Sequence, residues 1–226
     1  MSGSGHEPLR FTLVHLLTTP DAPRERRSVA SVAPVATTGV RYVQHRNPPR
    51  TTTPPRDTCR RPDAVTSWED ASFPNDWQLG PGHFGCFLAH RRAVLAEFDD
   101  TLDLFVICEC DCVLNGTAEE LHALLVEARD HMARTGTLYL SLGIGWDGPT
   151  DERFAPVRRI FRTHCVVFAP AARAVLRQAF LWEPWDTIDY WYNEVFAGRP
   201  MAIATTPFAH QAAGLSLLER VEREGR

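Results

Sequence analysis

The sequence predicts a single α/β domain with a mostly parallel central sheet that is flanked by helices. Short apolar stretches alternate with amphipathic ones along the chain, and helix start and stop signals separate them. A length of 226 residues suffices for one domain of ordinary size. The hydrophobic share of 44% and the charged share of 23% are typical of globular proteins. Because repeated strand–helix units favour parallel strands, we expect ligands at the carboxyl ends of those strands.

The N-terminal third predicts two strands with one helix between them. Residues 11–17 form an apolar first strand, and residues 40–44 form a short second one. The helix spans residues 23–36 and begins with a Pro-Arg pair, because proline is tolerated in the first turn of a helix.

The folded domain is placed at residues 10–216. Residues 1–9 are expected to be a disordered tail, and residues 217–226 a charged tail. Within the domain, residues 45–67 contain two proline pairs, a threonine triplet and five arginines, but almost no apolar residues. Loops of this length are either functional or disordered. Two interpretations therefore remain open for this segment: a floppy insert, or a basic flap that contacts substrate.

The remaining two thirds of the chain alternate helices and strands more regularly. Thr117 and Glu120 form a capping box that opens a helix, and Gly136 closes that helix. The other predicted helices span residues 85–98, 170–180 and 186–196. The other predicted strands span residues 104–108, 138–142, 164–168 and 201–205.

Composition limits the classes of partner. A net charge of −4 gives no case for a nucleic-acid partner, and no apolar run approaches the roughly 20 residues of an integral membrane helix. All 24 basic residues are arginines, so any cation that holds a phosphate is an arginine or a metal ion. Three of the six cysteines alternate within five residues, where disulfides between them are sterically poor. We therefore expect reduced thiols in a cytoplasmic protein. The oligomeric state is not indicated.

The most informative segment is residues 105–114 (FVICECDCVL), an apolar strand that ends in two acids, Glu109 and Asp111. Acids in such a run are costly to bury unless a partner offsets their charge. A divalent cation bound to a diphosphate is such a partner, because Mg²⁺ and Mn²⁺ commonly combine carboxylates with substrate phosphates. The alternative is that the two acids line a turn and pair with arginines.

The cysteines that interleave with these acids suggest a rival site. Cys108, Cys110 and Cys112 could serve as zinc thiolates, but their spacing lacks the usual two-residue gap and a second paired cluster. We therefore expect Cys108 and Cys112 to be small residues of the core.

Five segments carry a resemblance to a known family, in order and at matching distances. They are residues 82–90 (GHFGCFLAH), 109–111 (ECD), 163–172 (THCVVFAPAA), 184–186 (PWD) and 207–211 (PFAHQ). Together they resemble glycosyltransferase family 25, the lipopolysaccharide and collagen-type galactosyltransferases. In that family a Gly-x-Gly-Cys-x-x-Ser-His stretch precedes an apolar strand that ends in Glu-Asp-Asp.

The chain departs from this family pattern at three positions. Cys110 replaces the middle acid, Ala89 replaces the serine before the histidine, and His83 replaces the acid before Gly-Cys. The outer acids remain, so metal binding is still expected, while the choice of donor is left open.

The resemblance implies a single GT-A-type, Rossmann-like domain that uses Mn²⁺ or Mg²⁺. It implies an inverting enzyme of polysaccharide biosynthesis that moves a hexose from a nucleotide-diphosphate sugar, a UDP-sugar, to a glycan or other hydroxyl acceptor. Two alternatives remain. The loss of the central acid suggests a nucleotide-sugar-binding protein or a degenerate homologue without turnover. A metal-dependent hydrolase of a nucleotide diphosphate is the other, although no further acidic or histidine cluster supports a second metal.

The candidate metal ligands are Asp111 and Glu109, with His210 as a third because it follows closely after a predicted strand. A surface histidine is the alternative role for His210. For the general base, the two candidates are Asp186 and Asp189, which lie one turn apart at the start of a predicted helix. The family match favours Asp186, although that residue could instead be the cap of the helix.

The donor is expected to contact residues from several segments. They are Thr18, Arg24, Gly85, His90, Glu109, Asp111 and Gln211. Thr18 follows the first strand, where a nucleotide base or ribose would lie. Gly85 permits close backbone approach at the expected start of a helix, where an anion is favoured. His90 is expected to be a structural histidine beside the donor or a phosphate contact, and Gln211 either bonds substrate or caps the chain end.

Overall fold

The structure, a computed structural model, describes residues 9–18, 23–36, 40–46, 54–65, 79–143 and 152–212. Its strands are β1 (Phe11–Leu17), β2 (Val40–Arg46), β3 (Leu104–Cys108), β4 (Cys112–Leu114), β5 (Tyr139–Ser141), β6 (Phe154–Val157), β7 (Cys165–Phe168), β8 (Met201–Ala204) and β9 (Ala209–Gln211). Its α-helices are α1 (Pro23–Val32), α2 (Pro81–Glu97), α3 (Ala118–Thr135), α4 (Ala172–Trp182) and α5 (Ile188–Val195). Residues 1–8 of the predicted N-terminal tail, and all of the tail predicted at residues 217–226, lie outside the described residues.

Seven strands form one sheet in the order β2-β1-β3-β7-β5-β8-β6. The pairs of β1 with β2, β1 with β3, and β5 with β8 are parallel. β7 runs antiparallel to both of its neighbours, and β6 runs antiparallel to β8. Five of these seven strands therefore share one direction, and the predicted α/β fold with a mostly parallel sheet is confirmed.

Helices cover both faces of this sheet. On one face, α2, α4 and α5 pack over a cluster whose largest buried side chains are Trp191, Tyr139 and Tyr192. On the other face, α3 and the end of α1 pack over a second cluster that includes Cys108 and Cys112. Each large apolar side chain buried in this way contributes about 1.5–3 kcal/mol relative to exposure. The prediction that these two cysteines belong to the core is confirmed.

Capping residues explain where the helices begin and end. The Thr117 hydroxyl accepts a hydrogen bond from the Glu120 backbone N–H, and the Glu120 carboxylate accepts one from the Thr117 N–H. Gly136 ends α3 with φ of 72°, a conformation that glycine adopts without strain. The predicted box and stop of α3 are both confirmed. α1 ends four residues earlier than expected and continues as a 3-10 turn over Ala33–Val35, since proline in that turn has no N–H to donate.

α2 starts four residues before its predicted start. Gly80 is its N-cap residue and donates its backbone N–H to the His83 ring, and Pro81 occupies the first turn. Gly85 thus lies inside the helix. The expectation that Gly85 marks a helix start is wrong, because the helix begins one turn earlier, after the N-cap residue Gly80.

Residues 54–65 of the predicted proline-rich loop pack against the body of the domain. Cys59 and Val65 are buried, and the Cys59 backbone forms a bridge with Trp185. The Trp185 indole N–H donates to the Pro55 carbonyl at 2.8 Å. A floppy insert is therefore the wrong interpretation for this part of the segment, while residues 47–53 and 66–67 lie outside the described ranges.

Two further features were not expected from the sequence. Leu9, the last residue of the predicted N-terminal tail, is buried. The short strands β4 and β9 form a separate antiparallel pair, with Cys112 opposite Gln211. This pair brings the end of the described chain next to the acidic segment. No helix within the described ranges is both long enough and apolar enough to cross a membrane.

Candidate active site

Glu109 and Asp111 follow β3, one of the inner strands, at the edge of the sheet formed by the strand ends. β1 lies beside β3 in parallel, so the residue after it, Thr18, reaches the same edge. β7 is antiparallel, so Thr163 and the start of that strand also lie there. The chain continues from β1 to β2 on one side, while β3 lies on the other side of β1. Ligands of open α/β sheets bind in the crevice at such a switch point.

The Glu109 carboxylate is held by uncharged and imidazole donors. Its Oε1 atom lies 3.1 Å from His90 Nε2 and accepts a 2.6 Å hydrogen bond from the Thr163 hydroxyl. The Cys86 thiol donates to the same oxygen at 3.7 Å. Burial alone would raise the pKa of Glu109, but the hydrogen bond and charge of His90, together with Thr163, lower it to about 2. This carboxylate is ionised at any working pH.

His90 is fully buried on α2 and is fixed on both sides. Its Nδ1 atom lies 2.9 Å from the Tyr192 hydroxyl, and its Nε2 faces Glu109. The structure thus places this predicted site residue against the first acid.

The Asp111 carboxylate is only 3% exposed and contacts two different segments. Its Oδ2 atom accepts a 2.7 Å hydrogen bond from Gln211 Nε2 and lies 3.1 Å from Arg24 Nη2. Its backbone carbonyl accepts a hydrogen bond from Ala212 at 2.7 Å. Its Oδ1 atom is buried and has no hydrogen-bond partner among the described residues. Burial and then the charge of Glu109 raise the pKa of Asp111, against the opposing effects of Arg24 and Gln211.

Arg24, at the start of α1, contacts the acidic segment at two residues. Besides Asp111, its Nη2 atom lies 3.5 Å from the sulfur of Cys110, the residue at the position of the family's middle acid. Thr18 is tied to the same helix, because its N–H and its hydroxyl both donate to the Glu25 carboxylate, at 2.6 and 3.1 Å. Four predicted donor contacts, Thr18, Arg24, Asp111 and Gln211, therefore lie around one point.

Asp189 belongs to the group around Glu109. The Thr163 hydroxyl lies 3.0 Å from Asp189 Oδ1 and 2.6 Å from Glu109 Oε1, and the Arg162 N–H donates to Asp189 Oδ2 at 2.9 Å. A hydroxyl has one proton, so it can donate to only one of the two carboxylates at a time. Burial first, and then the charge of Glu109, raise the pKa of Asp189.

Asp186 lies apart from the two acids and is held by Arg61. The Arg61 Nε atom lies 3.1 and 3.2 Å from the two oxygens of Asp186, and its Nη2 lies 2.5 Å from Oδ1. The Thr187 N–H also donates to Oδ1. α5 begins at Ile188 with Thr187 as its N-cap residue, so the alternative role of Asp186 as the cap of this helix is wrong.

His210 projects away from the acids. Successive strand residues point to opposite faces, and Gln211 is the one that reaches Asp111. The exposed His210 ring instead lies 2.5 Å from the Asn115 side chain through Nδ1. The structure therefore does not bring this predicted metal ligand to the other two.

Gly85 has open space around it, since a Cβ added there would meet nothing within 4 Å.

Gly143 and His164 are in tight contact, close to the end of β5. A Cβ added at Gly143 would lie 2.2 Å from Nε2 of His164. That Nε2 atom is buried and has no hydrogen-bond partner in the described part of the chain.

Comparison with solved structures identifies related folds. A glycosyltransferase involved in the glycosylation of the major capsid of PBCV-1 matches with a TM-score of 0.53 and 13% sequence identity, over 94% of this chain and 97% of that one. The chain shares a glycosyltransferase fold. The glycosyltransferase GlyE of Streptococcus pneumoniae TIGR4 matches with a TM-score of 0.47 and 7% identity over 91% of this chain, which spans 55% of that protein. No protein-family profile and no curated protein sequence matches the chain.

The contacts that sequence reasoning missed all depend on strand direction or long-range packing. Thr163 reaches Glu109 because β7 is antiparallel, and no local pattern indicates that direction. Tyr192 lies on the apolar stripe of α5, yet its hydroxyl bonds His90. Arg61 is one of five arginines in a loop, and only the packing of residues 54–65 selects it.

Proposed function

We propose that the chain is a metal-dependent, family 25-like glycosyltransferase that moves a hexose from a nucleotide-diphosphate sugar to a hydroxyl acceptor. One observation carries this proposal: Glu109 and Asp111 lie side by side at the switch point of a sheet, on a fold shared with a glycosyltransferase. By the same resemblance the donor is a UDP-sugar, the acceptor is a glycan or small molecule, and the reaction inverts the anomeric centre. The free cysteines support a cytoplasmic location.

The two acids fit a hard divalent cation. Asp111 Oδ1 is buried without a partner among the described residues. Within the same ranges, the side-chain hydrogen bonds of Glu109 all fall on Oε1. Each carboxylate thus keeps one oxygen for a ligand, and the repulsion that raises the pKa of Asp111 would be relieved by a cation. Mn²⁺ or Mg²⁺ held by Glu109 and Asp111 would stabilise the negative charge of a departing diphosphate.

The surrounding residues supply contacts to the donor. Arg24 places a guanidinium beside Asp111 and would also attract a phosphate, and the chain has no lysine for that role. Thr18 lies at the end of β1, where a ribose or base would bind. Gln211 orients Asp111 through its 2.7 Å hydrogen bond. His90 acts on the donor only indirectly, by positioning Glu109, because it contacts that carboxylate and is itself fully buried.

Asp189 is the base that this geometry favours over Asp186. Both oxygens of Asp186 are held by the positively charged Arg61, which stabilises the ionised form and weakens the base. The hydrogen bonds to Asp189 come from uncharged donors, the Thr163 hydroxyl and the Arg162 backbone N–H, and its pKa is raised. In the transfer, the acceptor oxygen forms a bond to the anomeric carbon while the bond from that carbon to the diphosphate oxygen breaks. The acceptor proton passes to Asp189, because a carboxylate whose pKa is raised binds a proton more strongly and is the better base.

A second function is favoured by the contacts of Asp111. Arg24 already occupies one of its oxygens, and Cys110 stands where the family has a third acid. These contacts favour a protein that binds a nucleotide sugar without turning it over.

A panel of nucleotide sugars incubated with the protein and Mn²⁺ tests the two functions. Slow release of the nucleotide and the free sugar is the result expected for the transferase. Binding without release would assign the second function, and cleavage within the diphosphate would identify a hydrolase instead.

A further inference from the structure

A second group of metal-ligating side chains shares Glu109 with the site already described. It consists of Cys86 and His90 on α2 and of Glu109 after β3, and one ligand atom from each lies within 4.8 Å of the others. Glu109 Oε1 is 3.1 Å from His90 Nε2 and 3.7 Å from the Cys86 sulfur. The two proposed sites therefore share the Glu109 carboxylate: Oε1 faces Cys86 and His90, and Oε2 would remain for Mn²⁺ or Mg²⁺.

The local structure holds the three donors in place. Cys86 and His90 are four residues apart on one helix, so their side chains lie on the same face, one turn apart. Glu109 is fixed by its backbone N–H, which donates to the His164 carbonyl at 2.9 Å.

Two further side chains orient the donors. The Tyr192 hydroxyl lies 2.9 Å from His90 Nδ1, which points Nε2 at Glu109. The Thr163 hydroxyl fixes the Glu109 carboxylate through a 2.6 Å hydrogen bond. Protein metal sites characteristically hold their histidine through the second ring nitrogen and hydrogen-bond their carboxylates in this way.

The donor set selects the kind of ion. A thiolate, an imidazole and a carboxylate suit Zn²⁺, whereas Mg²⁺ and Mn²⁺ prefer oxygen ligands. Tetrahedral Zn²⁺ with bonds of about 2.0–2.3 Å places its ligand atoms about 3.3–3.6 Å apart. The two separations from Glu109, 3.1 and 3.7 Å, bracket that range, and the Cys86 sulfur and His90 Nε2 lie within 4.8 Å of each other.

We propose that Cys86, His90 and Glu109 form a binding site for Zn²⁺ or a similar borderline divalent ion. Three protein ligands leave the fourth position open for a water or a substrate oxygen. Cys86 binds as the thiolate and releases its proton to solvent, and neutral His90 binds through Nε2 with its proton on Nδ1, toward Tyr192. Glu109 is partly exposed, so an ion has a route to the site.

Another cluster of thiols could compete for the same ion. Cys108, Cys112 and Cys165 also bring their sulfurs together, but all three are fully buried in the core on the opposite face of the sheet. Their surroundings are apolar, and no fourth donor joins them among the described residues. The number of sulfurs bound to the ion distinguishes this cluster from the proposed site.

Zn²⁺ alone, without nucleotide or sugar, is the probe for the test. Equilibrium dialysis of the full chain is expected to give one ion per protein, and X-ray absorption of that complex is expected to show one sulfur per ion. Cys86→Ser and His90→Gln each lower the affinity by about 100-fold or more, and Tyr192→Phe lowers it by about tenfold. Cys112→Ser is the matched control and binds as the wild type does.

Three results would overturn the proposal. They are the absence of a bound ion, three sulfurs per ion, and wild-type affinity in Cys86→Ser. The absorption measurement uses the wild type, so it decides the matter even where a variant fails to fold. Because no donor is present, failure here leaves the transferase proposal untouched, and loss of donor binding leaves the Zn²⁺ result standing.

Discussion

Glu109 and Asp111 are two residues apart after β3, and their carboxyl groups are held by different kinds of partner. Glu109 contacts the protein interior through His90, Thr163 and Cys86, and its pKa falls to about 2. Asp111 forms an ion pair with Arg24, yet its pKa is raised. At Glu109 the contributions of His90 and Thr163 outweigh burial, whereas at Asp111 burial and the charge of Glu109 outweigh Arg24 and Gln211.

The difference teaches that the two acids are suited to different tasks. Glu109 is a permanently charged anchor, because its protonation would leave several donors without an acceptor. Asp111 keeps one buried oxygen without a partner among the described residues, which makes it the more responsive ligand. The following experiments test this contrast, from the largest expected effect to the smallest.

The largest effect is expected at Asp189, which belongs to the Glu109 group. Asp189→Asn is expected to lower kcat by about 10²–10⁴-fold, because the amide cannot take the acceptor proton. Donor affinity should stay unchanged, and both quantities are measured with the donor found in the panel. Asp186→Asn is the matched control, which loses an ion pair with Arg61 but keeps kcat within about tenfold of the wild type. If the control variant were the inactive one, the roles of the two aspartates would be exchanged.

His15, on β1 next to β3, allows a test of how stability depends on pH. His15 is fully buried on β1, with Nε2 2.8 Å from the Ser28 hydroxyl, and burial lowers its pKa to about 4 despite the opposing contribution of the Glu109 backbone. Above pH 6.5 the unfolded and folded states both hold it neutral. As the pH falls from 6.5 toward 4, only the unfolded state gains the proton, so about 3 kcal/mol of stability is lost.

Urea unfolding at pH 7.5 and pH 5 measures this loss. By pH 5 the His15 contribution to the free energy of unfolding should have dropped by about 2 kcal/mol. His15→Gln lacks the titrating ring, so its stability should fall by correspondingly less over the same interval. Equal losses in the variant and the wild type would mean that His15 is accessible to protons in the folded state.

A third experiment addresses Asp111 itself. Asp111→Asn is expected to weaken Mn²⁺-dependent donor binding by about 100-fold, because the amide is a poorer ligand for a hard cation. Calorimetry with and without Mn²⁺ measures the effect. Asp103→Asn, which breaks an exposed contact with Arg10, is the control and should bind donor normally. Unchanged affinity in Asp111→Asn would remove this residue from the donor site.

The smallest effect is expected at the two glycines near the acids. Gly85 lies inside α2 with open space around it, so Gly85→Ala should raise the free energy of unfolding by about 0.5–1 kcal/mol. Gly143→Ala should lower it by about 1–3 kcal/mol, because the new Cβ would press on His164. Thermal unfolding measures both. A stabilised Gly85→Ala protein that loses donor binding would show that a ligand needs the backbone there.

The elements that could be predicted from the sequence are those with a local cause. The first strand has the predicted bounds, and the capping box of α3 is where its residues indicate. Strand direction has no such local cause, which is why the antiparallel β7 and the three-residue strands β4 and β9 were not expected.

The candidate site divides in the same way. Two acids that end an apolar strand are visible in the sequence, and so is the i, i+4 pair of Cys86 and His90. Their partners Thr163 and Tyr192 are distant in the chain and meet them only through the packing of β7 and α5. The expected helix start at Gly85 failed because capping by Gly80 extends α2 over both glycines that follow.

The pairing of β9 with β4 also bears on how the protein is made. Asp111 receives its bonds from Gln211 and Ala212, about a hundred residues later in the chain. During synthesis on the ribosome, the acidic segment therefore lacks these two partners until the end of the domain has been made. The cleft matures only after Ala212 has emerged, so an interrupted translation product can build most of the sheet and still lack a finished site.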